Sequence, residues 1–190
     1  MDRVVASVGS EVILLSEVNF ESRLALIQRG GALGLLTSID DGLRKSALQG
    51  LIIQTLLYAE TKRLRAFDAP EVEALSLKAL RVAFIDAMGE SLPDALAEFE
   101  VSEAELTEHL RRKLYADRLL AERVNGPPNE EEILTFYQAN PALFGGKSLQ
   151  EARGEVVALA QERVTKERLL RYLDELKSRF SVRFFSLSKT

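Results

Sequence analysis

Apolar positions alternate at the two ends of the chain and recur at helical spacing between them. Arg3-Val-Val-Ala-Ser-Val8 and Glu11-Val-Ile-Leu-Leu15 flank Gly9-Ser10, and two such runs around a two-residue turn predict a β-hairpin. Phe180-Ser-Val-Arg-Phe184 alternates apolar and polar, which predicts a strand over 180–186. A hairpin and a lone strand are each marginal in water. They are therefore expected to pair into one small sheet that brings the termini together.

From Ser16 the period becomes helical. Ser16 is the expected N-cap of a first helix with Val18, Leu24 and Ile27 on one face, ending at Gly30-Gly31. Gly30 to Ile39, with Leu33, Leu35 and Leu36 among glycines, reads as an apolar loop. Asp40 or Asp41 caps a second helix, with Leu48, Ile52, Leu56 and Ala59 inward and Lys62, Arg63 and Arg65 at its negative end. Asp68-Ala-Pro-Glu71 opens a third, whose expected inner stripe is Val72, Leu75, Leu80, Phe84 and Met88. Ser91-Leu-Pro-Asp94 starts a short helix carrying Leu96 and Phe99. Ser102-Glu-Ala-Glu105 starts another with Leu106, Leu110, Leu114 and Leu120, stopped by Asn125-Gly-Pro-Pro128. Asn129-Glu-Glu-Glu132 caps a helix with Ile133, Phe136 and Tyr137. Ser148-Leu-Gln-Glu151 opens a long one, about 149 to 178, with Val156, Leu159, Val164, Leu169, Leu173 and Leu176 inward. The fold class is thus mainly α: a multi-helix domain with a small sheet from an N-terminal hairpin and a C-terminal strand. The expected organisation is one composite domain over 1–190, in which 148–190 packs back on 1–144.

Composition narrows the function more than it identifies it. In 190 residues, 46% are apolar and 28% charged, enough to bury a core. No apolar run approaches the roughly 20 residues of a membrane span, so no membrane insertion is expected. Net charge is −4, which gives no overall attraction to nucleic acid. With no cysteine and one histidine, thiol nucleophiles, disulfides and His-pair metal sites are excluded. His109 lies in a helical stripe beside Arg111, Arg112 and Lys113 and is expected to be a boundary residue without a catalytic role. Gly30-Gly31 and Gly34 lack the strand-to-helix context of a phosphate cradle. Carboxylates such as Asp40-Asp41 and Glu130 to Glu132 sit at helix starts, where the dipole explains them. No enzyme, cofactor or metal site is expected. Asp2-Arg3 leads directly into Val4 without a secretory h-region, so the chain reads as cytosolic or as an exported chain whose signal has been removed.

The unusual features are apolar. Leu33, Leu35 and Leu36, and Phe84, Met88, Leu92 and Leu96 around Gly89, read either as core or as the walls of an open groove that holds another chain.

The order of elements also matches a family. Val4 to Val18, with Val-Ala-Ser-Val, Glu-Val-Ile and then Ser16-Glu17, resembles the opening of SurA-like periplasmic chaperones. Ala47 to Glu60, with Leu51-Ile52, looks like that family's second helix. Asn129-Glu-Glu-Glu-Ile-Leu-Thr-Phe-Tyr-Gln-Ala-Asn140 with Phe144 resembles the helix leading into the parvulin domain of SurA-like and PrsA-like proteins. Ser148 onward resembles their C-terminal helix and returning strand. The departure lies between these last two segments: a prolyl isomerase domain of roughly 100 residues has no room in Gly145-Gly146-Lys147. The resemblance implies the chaperone part without the enzyme: an ATP-independent periplasmic holdase for unfolded outer-membrane or secreted polypeptides. The expected client-binding residues are Leu33, Leu35, Leu36, Phe84, Met88, Leu92 and Leu96. The alternative is an assembly module that binds one dedicated protein or forms a homodimer by exchanging the 180–186 strand.

Overall fold

The computed structural model describes residues 2–185. Helix accounts for 76% of it, with one three-stranded antiparallel sheet built from the N-terminal hairpin and a C-terminal strand. The element order is β1 (Val4–Val8), β2 (Glu11–Leu14), α1 (Leu15–Gly30), α2 (Leu33–Leu36), α3 (Asp41–Leu64), α4 (Pro70–Met88), α5 (Leu92–Glu98), α6 (Glu103–Arg123), α7 (Glu130–Ala139), α8 (Leu149–Arg179) and β3 (Val182–Phe184).

The sheet order is β2-β1-β3. Gly9, at φ 58°, makes the tight turn between β1 and β2. β1 pairs antiparallel with β3 through Ala6↔Phe184, Ser7↔Arg183 and Val8↔Val182. Gly9 N donates to Ser181 O at 2.9 Å and Phe185 N to Val5 O at 2.9 Å, which extends that ladder at both ends. The expected strand over 180–186 is thus three residues long, and Ser186 lies outside the described residues.

The chain divides into two compact units. One comprises the residues up to Asp117 together with those from Leu176 onward, and the other is Arg118–Glu175. The divisions fall inside α6 and α8. In the first unit, Phe20, Leu24 and Ile27 of α1, Phe84 and Met88 of α4, Leu92 and Ala95 of α5, and Leu106 and Leu110 of α6 form one buried cluster. In the second, Ile133, Phe136 and Phe144 pack on Ala152, Val156, Ala160 and Val164 of α8. That α8 stripe runs at i, i+4 spacing, so Leu159 points outward, contrary to expectation.

The capping boxes are as the sequence predicts at Ser102, Asn129 and Ser148. In each, the N3 glutamate accepts from the cap's backbone N–H at 2.8 Å. Asp40 accepts from Leu43 N at 2.7 Å. Two expected caps shift. α1 starts at Leu15 with Leu14 as cap, whose N–H donates to Glu17 at 2.8 Å; the Ser16 hydroxyl donates to Asp2 instead. α4 starts with Pro70 at N1, which makes Ala69 the cap rather than Asp68.

Candidate functional site

The first unit carries a turn, a helix face and a cavity that are each unusual, and each begins with a local sequence choice. α2 replaces the expected apolar loop with one helical turn. Arg23, buried on α1, reaches this turn and donates from Nη1 to the carbonyls of Gly34 and Thr37, both at 2.7 Å. The rest of its guanidinium is held by Glu98 of α5 through two parallel bonds at 2.8 Å. Gly34 lies so close to α1 that a Cβ there would come within 2.5 Å of the Leu26 backbone. The turn is clamped on both sides. Leu35 faces the core cluster, while Leu33 and Leu36 stand out at 71% and 85% exposure.

α4 is apolar on both faces. Its inner face buries Phe84 and Met88, with Leu77 and Leu80 half-buried against the same cluster. Its outer face presents Val72, Leu75, Val82 and Ile85 to solvent, with Leu75 at 70% exposure. These positions, with exposed Ala79 between them, recur at i, i+3, i+7, i+10 and i+13 and so form one stripe. From Val72 to Ile85 the stripe covers about 20 Å of helix axis at 1.5 Å per residue. The helix is fixed from below at both ends. Near its start, Glu73 accepts from Tyr115 Oη at 2.7 Å and from Arg111 Nε at 2.8 Å. Near its end the core cluster holds Phe84 and Met88. The outer stripe therefore has no inward alternative to turn to.

The groove expected around Gly89 is not open. Phe84, Met88 and Leu92 are core residues and Leu96 is packed half-buried against them, because α5 folds back under the end of α4. Of the seven expected client-binding residues, the structure leaves Leu33 and Leu36 on the surface. The stripe of Val72, Leu75, Val82 and Ile85 was missed as a surface, since the first two read as inner positions.

A cavity of about 320 Å³ opens between the start of α1, α3 and α6. Its apolar wall is made by Phe20, Leu51, Phe99 and Val101, with Leu14 at the mouth. Its polar side carries Glu17, Glu21, Glu105, Glu108, His109 and Arg112, with Asp2 at the edge. Arg112 is engaged by Glu17 at 3.0 Å and Glu108 at 3.7 Å. His109 stacks edge-on against Phe20 at 5.9 Å between ring centres, and its Nδ1 lies 3.3 Å from Oε1 of Glu21. Burial pushes the imidazole down to about 4, with Arg112 and Lys113 acting in the same direction. Burial pushes the Glu21 carboxyl up to about 7, Lys113 opposing and Glu17 adding. His109 is thus the half-buried boundary residue the sequence predicts, but it is paired with a carboxylate that the sequence did not point to.

Among the described residues no group of three or more His, Cys, Asp or Glu could hold a metal ion, and no helix is long and apolar enough to cross a membrane. No family model and no curated protein matches this chain.

Proposed function

We propose that this protein is an ATP-independent holdase that keeps unfolded polypeptides from aggregating, without prolyl isomerase activity. Its place would be the periplasm, as the resemblance to SurA-like chaperones implies. The observation that supports this reading is the outer stripe of α4. A holding surface needs apolar contact without a fixed pattern of hydrogen bonds, and Val72, Leu75, Val82 and Ile85 offer that on a helix anchored from behind. Each side chain covered contributes about 1.5–3 kcal/mol at most, so the stripe works through several contacts together. Leu33 and Leu36 supply a second, smaller apolar surface.

The test is aggregation suppression with several unrelated unfolded chains, comparing the protein with a Leu75→Ser/Val82→Ser variant. The reading expects suppression of all clients and its marked loss in the variant at unchanged melting temperature. Equal suppression by the variant, or none by the parent, overturns it. The assembly reading draws on a different feature: among the described residues β3 is an edge strand of the sheet, with Phe184 exposed. Saturable binding of one folded partner, with no effect on unfolded chains, would favour it.

A further inference from the structure

We infer that the cavity between α1, α3 and α6 is a binding site for an organic cation on an apolar stem, the chemistry shared by lysine and arginine side chains and by free amphipathic amines. The inference goes beyond the holdase reading and stands on the shape and lining of the cavity. At about 320 Å³, it lies at the small end of ligand-binding clefts. Phe20, Leu51, Phe99 and Val101 form a wall that a stem can cover. The rest of the lining is mostly acidic: Asp2, Glu17, Glu21, Glu105 and Glu108 line the space together with the guanidinium of Arg112. Arg112 is itself held by Glu17 and Glu108, so it is compensated before a ligand arrives. Glu105 is partly satisfied by its cap at Ser102, and Glu108 accepts from Arg111 Nη1 at 2.8 Å and from Tyr58 Oη at 3.2 Å. Glu21 differs from these: its direct partner is the imidazole of His109, Nδ1 at 3.3 Å, with the charge of Lys113 acting on it as well. An ammonium or guanidinium beside Glu21 would give it a direct ion-pair partner, in surroundings where an ion pair is screened less than at the open surface.

This placement has a proton signature. The titratable groups that line the cavity with Glu21 are Glu17 on its own helix, His109, Arg112, Glu105 and Glu108 on α6, and Asp2 beside β1, and Lys113 of α6 acts on it through its charge. Of these, Glu21 is held up to about 7 and His109 down to about 4. A bound cation favours the ionised carboxylate, so binding below pH 7 must expel a proton. Affinity is then expected to fall about tenfold from pH 8 to pH 6.

The experiment is calorimetric titration of the full chain with 4-phenylbutylamine, with its neutral analogue 4-phenylbutanol, and with acetyl-Leu-Arg-Leu-amide. The inference expects the amine or the arginyl peptide to bind roughly tenfold or more tighter than the alcohol. That preference should grow with pH and should be lost in Glu21→Gln, whose fold is checked by melting. Binding of the peptide alone assigns the site to a polypeptide side chain; binding of the amine as well admits free cations. Equal binding of amine and alcohol, no binding of either cation, or an unchanged pH profile in Glu21→Gln overturns the inference. Aggregation suppression by the Leu75→Ser/Val82→Ser variant is read separately, so failure at the cavity and failure of the holdase reading are distinguishable.

Discussion

Gly34 and Arg23 decide what the exposed leucines of α2 can do. A loop would let Leu33 and Leu36 adapt their positions, whereas a turn pinned by Arg23 and pressed on the α1 backbone presents them in one place. Sequence could show that Gly34 lies among leucines, but not that a helix 2.5 Å from its missing Cβ is the reason for it. Gly34→Ala is expected to cost about 2 kcal/mol or more, because the clash is with backbone and not with a side chain that can move. Denaturant unfolding measures this, and a loss below about 0.5 kcal/mol would mean that α2 moves aside freely. The Glu21–His109 pair gives a second prediction at this scale. His109 is held down to about 4 from 6.5, so the unfolded chain takes up its proton first and stability falls as pH drops from 6.5 towards 4. Glu21 is held up to about 7 from 4.5, so the folded chain takes up its proton first and stability rises as pH drops from 7 towards 4.5. The two slopes oppose. Melting temperature between pH 7 and 5 is expected to rise on acidification in His109→Gln and to fall in Glu21→Gln. The lowered carboxyls of Glu60 and Glu73 do not enter this window, since their stabilisation is lost only as pH falls below 4.5. Parallel profiles in the two variants would show that the pair does not titrate as described.

At the scale of elements, the helices were legible where ends are chemically marked and ambiguous where both faces are apolar. Ser102, Asn129 and Ser148 each place an acceptor three residues before a glutamate, and that local geometry needs no tertiary context. α4 offers two stripes: Val72-Leu75-Val82-Ile85 and Leu77-Leu80-Phe84-Met88. Periodicity alone finds both and cannot choose. The choice is made by Glu73, which sits on the inner side and is bonded to Tyr115 and Arg111 of α6, elements distant in sequence. α8 shows the converse: periodicity places Leu159 inward, but close packing against α7 selects Ala152, Val156 and Ala160. The division of apolar residues between surface and core is testable directly. Leu33→Ser/Leu36→Ser is expected to melt within a few degrees of the parent, while Phe84→Ala is expected to lose about 3–5 kcal/mol. Comparable losses in the two would mean that the α2 leucines are covered in solution.

For the molecule as a whole, closure of the N-terminal hairpin by the far end of the chain was legible because neither piece is stable alone. What was not legible is how the closure is fastened. The Glu60 side chain on α3 is 4% exposed and takes charged bonds from Arg63 on its own helix and from Arg179 at the end of α8. Those partners hold its carboxyl below the usual carboxylate range. Sequence placed Glu60 on a helix and Arg179 before a strand, 119 positions apart, with nothing to link them. Deleting 179–190 removes Arg179 and β3 together, which leaves Glu60 buried with one partner and exposes the β1 edge that Val182–Phe184 covers. Truncating one side of a buried charged pair costs more than losing a surface contact, because the remaining charge stays desolvated. The melting temperature is therefore expected to drop by about 5 °C or more. Arg179→Met in the full-length chain should account for part of that drop, since it removes the charge and keeps the strand. If the truncated chain melts with the parent, β3 and Arg179 do not fasten the sheet. If Arg179→Met alone reproduces the whole loss, the ion pair and not the strand carries the closure.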